Sequence, residues 1–185
     1  EHITDIAGYD HMLFLLVLCS IYRFKNWDWV VLITAFTVGH SITLALSVLQ
    51  VVKIPSALIE LAIPVTILIS AVFRWLQVER NENQVFVKDQ KVYAVALFFG
   101  FIHGLGFSNM LRSLLGGEAD ILQPLLFFTL GLEVGQLLIV LFSLVAITSL
   151  NEYAHIPKFY LVRGIALVVG LVSIYLVLQR VGALF

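Results

Sequence analysis

The sequence predicts an all-α integral membrane protein, a bundle of about six transmembrane helices, and three observations carry that reading. Of the 185 residues 61% are hydrophobic and 12% are charged, where a soluble domain usually carries about 25% charged residues. The apolar residues gather into runs of about 20, the length a helix needs to cross a roughly 30 Å hydrocarbon core. Charge, glycine or proline punctuates the breaks between the runs.

The first run covers about residues 4–22 and stops at Arg23, Lys25 and Asn26. A second covers 29–51 and ends before Lys53 and Pro55, from which a third runs over 55–76. After the polar stretch 77–91 a fourth run covers 92–115 and closes on Gly116, Gly117 and Glu118. The fifth occupies 121–149, and the sixth occupies 159–181 beyond Pro157 and Lys158. Stretch 77–91 is too short to be a domain of its own, so residues 1–185 read as a single transmembrane domain in contact with the lipid bilayer. Nothing in the first thirty residues reads as a signal peptide, because Asp5, Asp10 and His11 interrupt the apolar stretch.

Charge sets the orientation and excludes some partners. Eleven Lys+Arg against twelve Asp+Glu leave a net charge of −1, with no basic field for nucleic acid. Eight of the basic residues flank the loops after runs one, three and five, and the other three are Lys53, Arg112 and Arg180. The positive-inside rule then places both termini on the non-cytoplasmic side of a cell (inner) membrane. Arg74, Arg112 and Arg180 lie near helix ends and read as interfacial anchors. Trp27, Trp29, Trp75 and Tyr153 read as an aromatic belt. The single cysteine, Cys19, rules out an intramolecular disulfide and a thiolate metal motif.

A charged side chain deep in a bilayer costs a few kcal/mol even on lenient scales, so each one inside a run calls for a reason. Run one carries Asp5, Asp10 and His11, run two His40 and Ser41, run three Glu60, run four His103 and Asn109, and run five Glu133 and Gln136. At about 1.5 Å of rise per residue, Asp10 and His11 lie roughly 9 to 11 Å from the outer end and Glu60 roughly 8 Å. His40, His103 and Glu133 come out near mid-membrane. Five helices thus deliver ionisable groups to one slab, whereas snorkelling residues would gather at helix ends. Thr129, Glu133 and Gln136 share a helix face by their i, i+4, i+7 spacing. Gly131 with Gly135, and Gly100 with Gly104, make GxxxG pairs that invite close helix approach. Pro64 cannot donate to the carbonyl of residue 60, which frees that oxygen beside the Glu60 carboxylate.

Neutral imidazoles mixed with carboxylates suit a borderline divalent cation such as nickel, cobalt, zinc or iron. The candidate metal residues are Asp10, His11, His40, Glu60, His103 and Glu133, with Ser41, Asn109 and Gln136 in support, while His2 and Asp5 near the outer mouth read equally as an entrance in support of the site or as a solvated helix end. Bland alternatives stand beside these roles. Each histidine can serve as an interhelical hydrogen-bond partner, Asp10 can orient His11 without touching metal, and Glu60 or Glu133 can be a neutral acid bonded to a backbone carbonyl.

The segments HITDIAGYDHMLF (2–14), FTVGHSITLAL (36–46), PSALIELAI (55–63), FGFIHGLGFSNML (99–111) and FTLGLEVGQ (128–136) resemble, in this order, the signature segments of the HupE/UreJ family of small bacterial membrane proteins. The resemblance covers runs one to five. It implies a nickel- or cobalt-permease type of activity, with metal handled by His2, Asp10, His11, His40, Glu60, His103 and Glu133, and by Gln136. The function expected is a divalent transition-metal permease or secondary transporter. No Walker motif is present, so its energy would come from a gradient or another subunit. Six helices are few for alternating access, which leaves room for a homo-oligomer. The alternative is an intramembrane zinc hydrolase, with Glu60 or Glu133 as general base on a metal-bound water and Ser41 assisting. No HExxH or recognisable nucleophile motif accompanies it.

Overall fold

The computed structural model describes residues 6–20, 27–78, 90–115 and 122–183. Among them the chain forms six helices and no strand: α1 (Ile6–Cys19), α2 (Asp28–Val48), α3 (Ser56–Gln77), α4 (Gln90–Leu115), α5 (Leu122–Glu152) and α6 (Lys158–Gly182). The last five are long and apolar enough to cross a membrane. Their ends fall within three residues of those predicted. Run length decides where a membrane helix can stop, because an unpaired backbone amide inside hydrocarbon costs several kcal/mol. Proline sharpens two of the starts. Pro55 and Pro157 stand just ahead of α3 and α6 with extended ψ of 129° and 133°, a position where a missing N–H removes no helix hydrogen bond.

The apolar side chains point both ways, as expected of a protein with lipid rather than water around it. Phe14, Leu15 and Val17 of α1, Leu32, Ile33 and Phe36 of α2, Ile63 and Ile67 of α3, and Ala96 and Phe99 of α4 make one continuous interior. A smaller cluster joins Leu44 and Val48 of α2 to Phe107 and Leu111 of α4 and Leu125 of α5. Outward-facing residues are equally apolar: Phe127, Leu130, Val134, Leu138 and Phe142 along α5, and Val168, Leu171, Tyr175 and Leu178 along α6, are all exposed. In water such a surface would aggregate. In a bilayer it is solvated by acyl chains.

The tightest helix pair is α2 with α4, which run parallel. A Cβ placed on Gly39 would strike the carbonyl of Leu97, one on Gly100 that of Phe36, and one on Gly104 that of His40. The GxxxG pair of α4 therefore does what its spacing predicts, and Gly39 completes it from the other side. The pair on α5 does not: a Cβ at Gly131 or Gly135 would meet no atom of the described residues within 4 Å.

Two further expectations are corrected. Arg74 is not an interfacial anchor but is buried, at 2% exposure. Its Nη2 donates to the Leu18 carbonyl oxygen at 2.6 Å and its Nη1 to Gln77 Oε1 at 3.0 Å. A guanidinium there satisfies a carbonyl in the last turn of α1, where the helix dipole favours positive charge. Trp29 leaves the expected belt as well, buried in the core, while Trp27 and Tyr153 are largely exposed. At that same end of the bundle the Arg163 guanidinium sits 4.4 Å from the Phe159 ring centroid and 4.9 Å from that of Trp75.

Candidate functional site

Three of the predicted histidines meet. His11 of α1, His40 of α2 and His103 of α4 are buried at 4%, 0% and 0% exposure. The His11 ring centroid lies 5.3 Å from that of His40 and 4.7 Å from that of His103, each pair edge to face. Their positions follow from helix register: Gly100 and Gly104 bracket His103 by one turn, and the close approach they permit sets that turn of α4 against His40. Aromatic rings enclose the cluster. Phe107 stands 4.7 Å from His11 and 5.7 Å from His40, Phe14 5.0 Å from His103, and Phe36 5.3 Å from His103, centroid to centroid.

Hydrogen bonding in the cluster is sparse. Neither ring nitrogen of His40 has a hydrogen-bond partner among the described residues, and neither does His103 Nδ1. Leaving a buried polar atom unpaired costs about 1 to 3 kcal/mol, and such atoms in a native fold call for an explanation. His103 Nε2 does have a neighbour, Thr66 Oγ1 of α3 at 3.0 Å. Two imidazoles bound to one ion at about 2.0 to 2.1 Å have ring centroids roughly 5 Å apart, so the observed separations suit a shared cation. Among the described residues no three His, Cys, Asp or Glu side chains form a ready-made cage.

The carboxylates go elsewhere. Glu60 does not join the imidazoles; its Oε2 accepts a hydrogen bond and ion pair from Arg180 Nη1 of α6 at 2.8 Å, both side chains partly exposed. Glu133 of α5 is half-buried and accepts from Thr34 Oγ1 of α2 at 3.3 Å. One turn further on, Thr37 Oγ1 lies 2.9 Å from Gln136 Oε1, and Gln136 is buried. The α2 and α5 polar residues thus form a seam beside the histidines. Ser41, on the same stripe of α2, spends its hydroxyl proton on the Thr37 carbonyl at 2.6 Å. His2 and Asp5 lie outside the described residues. Asp10 and Asn109 belong to α1 and α4, and their side chains lie outside the described residues.

A sequence model of the HupE / UreJ protein family matches residues 1–180. The chain belongs to the HupE/UreJ family. No curated protein and no solved structure matches it. Within this HupE/UreJ chain, His11, His40 and His103 come from three of the five segments that carry the resemblance, and these three residues are the ones the fold gathers.

Sequence reasoning passed over Thr66. Its signal was present: Thr66, Ser70 and Arg74 recur every four residues along α3 and all are buried, so they form a polar stripe on the inward face of an otherwise apolar helix. Depth alone ranked Glu60 above them.

Proposed function

We propose that this protein is a permease for a divalent transition-metal cation of the nickel and cobalt type, acting in a bacterial inner membrane with both termini on the non-cytoplasmic side. The observation that carries the reading is the convergence of three imidazoles from α1, α2 and α4 in the buried centre of the bundle, two of them with unpartnered nitrogens. A cation bound there would turn the unpaired acceptor nitrogens from a cost into a gain. The family is linked with nickel and cobalt transport in general, and imidazole suits both ions.

The chain's own residues divide the work in this reading. The imidazoles replace part of the ion's hydration shell, the phenylalanine rings keep water from competing, and Glu133 on the adjoining seam, with Asp10, supplies negative charge. Transfer is driven by a gradient or an accessory subunit. Nothing in the geometry favours the hydrolytic alternative: the Ser41 hydroxyl is committed to a backbone carbonyl.

Purified protein in liposomes loaded with a metal-sensitive dye tests the proposal. Addition of Ni²⁺ or Co²⁺ outside should quench the dye in a protein-dependent manner, and His40→Ala and His103→Ala should each reduce the rate at least tenfold while circular dichroism stays unchanged. Wild-type flux retained in the double variant, or no flux of any divalent cation through the wild type, would sink it.

A further inference from the structure

Thr66 has one hydroxyl proton and two polar neighbours. Its Oγ1 lies 2.7 Å from the Ile63 carbonyl oxygen, to which it donates, and 3.0 Å from Nε2 of His103. A carbonyl oxygen carries no proton, so the shorter contact consumes the only hydrogen Thr66 has. Toward His103 the same oxygen can then act only as an acceptor. The proton in that second contact must sit on Nε2.

The opposite assignment fails on two counts. If Thr66 donated to Nε2, its oxygen and the Ile63 oxygen would face each other at 2.7 Å with no hydrogen between them. The imidazole proton would also move to Nδ1, which has no partner among the described residues, and an orphaned buried N–H is rarer than an orphaned acceptor. Bulk solvent does not reach either group, because Thr66 is 4% exposed and His103 is fully buried. The hydroxyl is held in place by its own helix. A threonine in a helix commonly turns its Oγ1 back to a carbonyl three or four residues earlier, and the next turn is pinned in the same way by Ser70 Oγ donating to the Thr66 carbonyl at 2.9 Å.

We propose that Thr66 is a positioning residue that holds His103 as its Nε2–H tautomer and so leaves Nδ1 as the nitrogen open to a cation. The cation half of this statement rests on the permease reading above; the tautomer half does not. The arrangement follows a general rule for ligand histidines, in which the hydrogen bond made by one ring nitrogen decides which face of the ring can bind. It differs in that the acceptor is a back-bonded hydroxyl rather than a carboxylate.

The experiment uses the full chain in nanodiscs, free of metal, with histidine rings labelled in ¹³C and ¹⁵N. His103 resonances are assigned by their loss in His103→Gln. The wild type should report the Nε2–H form, Thr66→Val a mixture or the Nδ1–H form, and Thr66→Ser the wild-type form again. Titration with Co²⁺ should show affinity about 10- to 100-fold weaker in Thr66→Val and recovered in Thr66→Ser. A wild-type proton on Nδ1, or a Thr66→Val spectrum unchanged from wild type, overturns the tautomer assignment. Unchanged Co²⁺ affinity in Thr66→Val overturns the positioning role. Should the wild type bind no Co²⁺ while the tautomer pattern holds, the permease reading falls and the assignment on His103 stands.

Discussion

The two GxxxG pairs of this bundle have the same spacing and opposite fates. Gly100 and Gly104 of α4 lie against the α2 backbone with no space for a methyl group, whereas Gly131 and Gly135 of α5 face open space among the described residues. The difference lies in what surrounds each pair. Gly39 meets the α4 pair from α2 with a notch of its own, and buried Phe36 and Phe99 close around the seam. On α5 the neighbouring Leu130, Val134 and Leu138 point outward, and the helix is tied to α2 by side chains, through Thr34 with Glu133 and Thr37 with Gln136. A small-residue motif thus permits a backbone contact; a complementary surface has to supply it.

Substitutions can break this contrast. The largest effect is expected from Gly100→Ala, whose new methyl group would be driven into the Phe36 carbonyl. Overpacking of this kind costs about 1 to 3 kcal/mol, and a backbone obstacle, unlike a flexible side chain, puts the change at the upper end. Unfolding in detergent, followed by circular dichroism, measures it. Thr37→Val comes next. Interhelical hydrogen bonds in membranes average about 0.6 kcal/mol with a maximum of about 1.7, so the same assay should show a loss in that range. Gly135→Ala should come last, with a change within about 0.5 kcal/mol. A loss at Gly135 as large as that at Gly100 would sharpen the comparison in another direction: it would mean that a second copy of the chain covers α5 in the membrane, and cross-linking would then find a homo-oligomer.

The sequence carried axial information well and angular information badly. Helix ends were legible because the bilayer sets a length and polar loops set the stops. The meeting of His11, His40 and His103 was legible because matched depth is an axial quantity. Glu60 shows the limit: its depth is close to that of the histidines, yet its side chain leaves α3 toward Arg180, 120 residues away in the chain. Arg74 shows it again. Position near a helix end suggested an anchor in the headgroup region, and only the packing of α1 beside α3 turns the guanidinium inward to the Leu18 carbonyl. Thr66 was missed for a different reason, since a hydroxyl can be satisfied within its own helix and so raises no alarm in an apolar run.

Three notches along one seam also act as an index. With Gly39, Gly100 and Gly104 each seated against a carbonyl of the facing helix, a slip of α4 along α2 by a single residue would drive a side chain into a space that holds none. Shear between these two helices is therefore closed off, and they move as one lever. If the proposed permease reading holds, the opening toward His40 and His103 would have to come from elements that meet the lever through deformable side chains, α1 and α3 foremost.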